Sequence, residues 1–139
     1  MDPAVIALLG VLGGVIVTQI SNYLLEGKRA KNRIDEKVLD IQHSKERELY
    51  QDRKKSYTSY LASLDQYITS RGKNMASVLD HYYCSLVISS NDVSKAIVET
   101  YNIIKMYNFK DINAISESGD AYMESKQKLL SAIRKELYD

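Results

Sequence analysis

Apolar residues follow two different patterns along this chain. From Pro3 to Leu25 they are nearly continuous, and no charged side chain interrupts the run. Past Glu26 they recur every three or four residues, the spacing of one face of an α-helix. The first pattern predicts a helix begun by Asp2, whose carboxylate caps free N–H groups, and by Pro3, which loses nothing at the first helical position. As a helix the run measures roughly 34 Å at about 1.5 Å per residue, enough to cross a bilayer core of about 30 Å. Asp2 stands where an export signal carries basic residues, and the run ends in "SNYLLEGKRAK" without a small-residue cleavage site. A permanent transmembrane helix is therefore expected rather than a cleaved signal.

The helical period continues beyond the span with scarcely a break. Ile34, Val38, Ile41, Leu49, Tyr57, Tyr60, Leu61, Leu64 and Ile68 keep to it, with Lys45 and Arg53 interrupting the seam. Between Glu26 and Asp52 most sides are polar, which predicts a solvated stalk or one that packs against copies of itself. Gly72 in "TSRGKN" is placed to end the helix. "MASVLDHYYCSLVI" predicts a second helix, apolar enough to be mostly buried. "SSND" is a turn with Ser90 or Asn91 as cap and Asp92 in the favourable first turn. A third helix faces inward through Val93, Ile97, Tyr101 and Ile104 and stops near Asn108. A long last helix carries Ile112, Ile115, Gly119, Tyr122, Lys126, Leu129, Ile133 and Leu137 on one side, with Gly119 as a candidate break. The expected fold is all-α: one N-terminal transmembrane helix (1–27), a charged helical stalk (28–48), and a cytoplasmic bundle (49–139). The cytoplasmic helices run long, short, short, long as a four-helix bundle.

Charge decides the orientation. The chain is nearly balanced, with 19 basic and 18 acidic side chains, so bulk charge does not make it a binder of duplex nucleic acid. The basic residues are unevenly placed, however. Lys28, Arg29, Lys31 and Arg33 follow the span and none precedes it, so the positive-inside rule puts the N-terminus outside and the remainder in the cytoplasm. A single cysteine, Cys84, excludes an internal disulfide and suits a reducing compartment. The expected location is therefore a membrane, crossed once, with residues 28–139 on the cytoplasmic side.

Two kinds of candidate site emerge. Ala7, Gly10, Gly14, Thr18 and Ser21 share one side of the first helix, and Gly10 with Gly14 forms a GxxxG spacing that lets helix backbones approach closely in lipid. This is the candidate assembly face. Val11, Thr18, Gln19 and Asn22 are candidate pore-lining residues, with polar groups to wet a constriction and Val11 with Val15 as its dry part. Lys28, Arg29, Lys31, Arg33 and Lys37 are candidates for anionic headgroups, since Arg29, Arg33 and Lys37 repel one another at i,i+4 spacing and call for a negative neighbour. Arg53, Lys54 and Lys55 form a second basic cluster, either a solvated face or a contact for an anionic ligand or acidic partner.

Enzymatic chemistry finds little support. There is no phosphate loop, HExxH, paired CxxC or GxSxG motif. His81 and Cys84 lie three apart beside Asp80, but two ligands fall short of a zinc site, so a packed imidazole and a buried thiol are expected. Tyr82, Tyr83, Tyr101 and Tyr107 suit core and interface packing better than base stacking. No metal or other cofactor is expected, and the chain is read as a non-enzyme.

"LLGVLGGVIVTQISNYLLEGKRAKNR" passing into "KERELYQDRKKSYTSYLASLD" resembles small bacterial single-pass membrane effectors of anti-phage defence, the Hailong-type channel subunit among them. The resemblance implies a homo-oligomer that opens a conducting path and depolarises the cell. It also implies the bacterial inner membrane as the location and a partner nucleotidyltransferase whose oligonucleotide product keeps the channel shut; another cytoplasmic regulator is the alternative partner. It assigns no ligand residues. The leading expectation is a homo-oligomeric membrane effector that forms or gates a pore. The competing one is a tethered helical adaptor without pore activity, and a phage lysis or superinfection role shares the features of the first.

Overall fold

A computed structural model describes residues 2–107, 109 and 112–138, with the side chains of all but 112–115 among them. These residues form four helices and no strand: α1 (Pro3–Thr69), α2 (Met75–Ile88), α3 (Asn91–Lys105) and α4 (Ile112–Tyr138). The order long, short, short, long is the one the periodicity predicts. The apolar run, the stalk and the first bundle helix, however, are a single element. The chain divides into two compact units, Met1–Lys45 and Glu46–Asp139.

The first unit is made of α1 alone. Asp2 caps it through Oδ1, which accepts the Ala4 N–H at 3.1 Å. Every described residue up to Lys45 is exposed. By length and composition this helix contains a window able to cross a membrane, none of it buried within the chain.

The second unit is a helical bundle with one apolar core. Tyr57, Tyr60 and Leu64 enter it from α1, Val78 from α2, Val93, Ile97 and Ile104 from α3, and Tyr122, Leu129 and Ile133 from α4. Each such aliphatic side chain, fully removed from water, contributes about 1.5–3 kcal/mol before ordering costs. Small hydroxyls fill the remaining inner positions. Ser63, Thr100 and Ser125 are buried and each bonds a carbonyl three or four residues back in its own helix. Among the described residues no buried side-chain N or O is left without a partner.

Gly72 does mark the end of α1, by a particular geometry. The Arg71 N–H bonds Ile68 O at 3.1 Å and the Gly72 N–H bonds Tyr67 O at 2.9 Å. This is a Schellman closure with Arg71, not the glycine, in the left-handed C′ position at φ 53°, and Gly72 follows at φ 85°. The glycine is needed for a second reason, since a Cβ there would lie 2.9 Å from the Phe109 ring.

Three expectations change. α2 is not mostly buried: only Val78 and Ser85 are, while Tyr83 and Val87 stand 61% and 84% exposed and Cys84 is exposed as well. Its apolar residues lie on all sides, and the bundle covers one side only. α4 does not break at Gly119; it is helical throughout, so a propensity cost of about 1 kcal/mol does not interrupt it. Leu49 is exposed, so the inward seam of α1 begins later, at Arg53 and Tyr57. α3 ends at Lys105 with Met106 as cap. Asn108, expected as its stop, and the Ile112 and Ile115 side chains lie outside the described residues.

Candidate functional site: an uncovered helix and a polar knot

In the first unit, the candidate assembly face is open. A Cβ built on Gly10, Gly13 or Gly14 meets nothing within 4 Å, so another backbone has room to approach. Thr18 donates its hydroxyl to Gly14 O at 2.8 Å. That bond satisfies the hydroxyl's donor inside its own helix. Ala7 and Ser21 are exposed beside these residues. Val11, Gln19 and Asn22 are exposed on the neighbouring sides of the same helix.

Lys28, Arg29, Lys31, Arg33 and Lys37 are exposed too. Among the described residues none of them forms an ion pair within the chain. The negative neighbour that their spacing calls for is therefore not supplied by their own helix.

The second basic cluster divides. Lys54 and Lys55 face solvent around a shallow hollow lined also by Gln51, Thr58 and Ser59. Arg53 turns inward instead. Its Nε donates to Ile88 O at 2.8 Å, and its Nη1 lies 3.2 Å from Glu136 Oε1. Glu136, whose side chain is 7% exposed, is the hub of a knot. Its Oε2 accepts the Tyr57 hydroxyl at 2.7 Å and its Oε1 accepts the Ser90 N–H at 2.9 Å. One carboxylate thus joins α1, the α2–α3 turn and α4. A nearby hydroxyl pair, Ser56 and Ser85 at 3.0 Å, adds a further α1–α2 tie.

Electrostatics explain why the knot forms. Ser90 is the N-cap of α3 yet makes no side-chain capping bond, so a free N–H and the positive end of the helix await an anion. Glu136 supplies it. Burial first, and then the hydrogen bond to Glu136, hold the Tyr57 phenol well above its ordinary range, with Arg53 opposing. A second clasp lies further along α1, where Asp65 Oδ1 accepts from Tyr122 Oη at 2.8 Å and from Lys126 Nζ at 2.6 Å. Burial, then the bond to Asp65, likewise raises Tyr122.

Sequence reasoning missed Glu136. A signal was present: a carboxylate in the last turn of α4 opposes that helix's own dipole, so it needs a partner elsewhere. The remaining chemistry-bearing side chains do not converge. His81 is half-buried and Cys84 is exposed, which corrects the expected buried thiol. Among the described residues no three His, Cys, Asp or Glu side chains group to hold a metal. Tyr82 stacks on Tyr101 with ring centroids 4.3 Å apart and touches Tyr60 and Tyr83, a packing cluster between α1, α2 and α3.

No protein-family model matches this chain, and no characterised protein or solved structure is detectably similar to it. The fold by itself defines an all-helical chain with a bundle and one helix long and apolar enough to span a bilayer.

Proposed function

We propose that the protein is a homo-oligomeric single-pass effector of the bacterial inner membrane, which forms or gates an ion-conducting path under the control of its cytoplasmic bundle, in a defence role. The observation that carries this is the apolar stretch of α1, which is exposed along its whole length among the described residues and whose glycine face is open to a second backbone. A single helix cannot enclose a path, so several copies are needed. Gly10 and Gly14 bring the copies together, Thr18, Gln19 and Asn22 border the path, and Val11 lies in its dry part. Lys28, Arg29, Lys31, Arg33 and Lys37 set the N-out orientation and meet anionic headgroups.

The test is membrane potential and growth in a bacterium expressing the protein. Gly10→Ile with Gly14→Ile is expected to abolish depolarisation while membrane insertion persists. Equal depolarisation by the double variant removes the assembly face. A second reading, a tethered adaptor without a path, is favoured by the exposed Tyr83 and Val87 on α2, which suit a protein partner. An unrelated span in place of residues 3–25 preserves an adaptor and destroys a path.

A further inference from the structure

Beyond the apolar stretch, α1 carries a second uncovered stripe. Ile34, Val38 and Ile41 are 61%, 47% and 55% exposed, and no described residue of this first unit is buried. Their spacing of four and then three is that of the a and d positions of a coiled coil. Lys31 and Lys45 continue the same register at either end and limit the seam to three apolar layers, because stacked ammonium groups repel. The two flanks of the stripe differ in charge. Arg33, Lys37 and Asp40 lie along one, net positive, and Asp35 along the other, and among the described residues none of the four has an ion-pair partner in its own chain.

We infer that this stripe is the contact by which copies of the chain bundle, parallel and in register, just beyond the membrane. The inference rests on the assembling span proposed above. Three layers are too few to hold free helices together, but copies anchored in one bilayer with one orientation share direction and height, and their effective concentration is high. Each layer then stacks like on like: Ile34, Val38, Ile41. The flank with Arg33, Lys37 and Asp40 faces a neighbour's flank with Asp35, which gives the end of the basic row farthest from the bilayer a negative neighbour besides the headgroups.

More than two copies take part. β-Branched residues at both a and d favour bundles above the dimer.

The experiment is a cysteine scan in the full-length protein in native membranes, on a Cys84→Ser background. Ile34→Cys, Val38→Cys and Ile41→Cys are compared with Glu36→Cys and His43→Cys on the opposite side, under mild oxidation. The expected result is disulfide-linked chains at 34, 38 and 41 at least tenfold above 36 and 43, together with trimers or larger assemblies when an amine crosslinker is added. Equal crosslinking at all five positions, or adducts mainly to a different protein, overturns the seam. Dimers as the largest species overturn the bundle above the dimer. Gly10→Ile with Gly14→Ile separates the two levels. Loss of the 34, 38 and 41 pattern in that variant agrees with a seam that depends on the span. An oligomer that depends on the glycines but never shows the pattern leaves the assembling span standing and removes the seam alone.

Discussion

Position 72 shows how one residue can be held by two independent constraints. Its φ of 85° disfavours any L side chain, and the Phe109 ring occupies the space a Cβ would need. Gly72→Ala is expected to lower bundle stability by about 1–2 kcal/mol, the sum of a strained backbone and a displaced ring. Thermal unfolding of the detergent-extracted chain, followed by circular dichroism, checks it; an unchanged midpoint contradicts the packing of Phe109 on this turn. From sequence, "RGKN" announces a helix end and nothing more. The occupant of the left-handed site, Arg71, and the aromatic lid over Gly72 follow from the chain's return after α3, which no local signal encodes.

At the scale of the element, α1 is fastened to its bundle by polar ties as well as by its apolar face. Arg53, Tyr57 and Ser90 all meet at Glu136, and removing one charge from such a nearly buried pair strands the other. Arg53→Met is expected to cost about 2–3 kcal/mol. Arg53→Met combined with Glu136→Gln should cost less than the two single changes added together, by about 1 kcal/mol or more. Denaturant titration of the four proteins measures this, and strict additivity would show that the pair does not interact. Arg53 reads in the sequence as a fault in an apolar seam. It is a designed interruption, visible as such only when its partner, 83 positions away, is in place. α2 teaches the reverse: its composition is that of a core helix, but a bundle of this size covers only one of its sides.

For the whole molecule, the buried tyrosines set a limit in alkali. Tyr57, Tyr60 and Tyr122 are each raised above the ordinary tyrosine value of 10.0, burial being the first cause in every case. The folded bundle therefore keeps protons that the unfolded chain gives up above that pH. Stability should be level with respect to these groups below about pH 10 and fall as pH rises beyond it. Midpoints of thermal unfolding from pH 8.5 to 11 check the sign, and Tyr122→Phe should flatten the decline. The sequence alone determined the helical class, the order of the four helices and the uncharged stretch long enough for a bilayer, because periodicity, capping residues and the absence of charge are local properties. It also singled out Gly10, Gly14 and the basic residues after the apolar stretch, which need only spacing to be recognised. Only the tertiary structure decided which apolar side chains are covered, that Arg53 belongs to the interior while Lys54 and Lys55 do not, and that Glu136 serves the N-terminus of a different helix. Those outcomes depend on which surfaces meet when distant segments pack, and hydropathy along a chain carries no record of that.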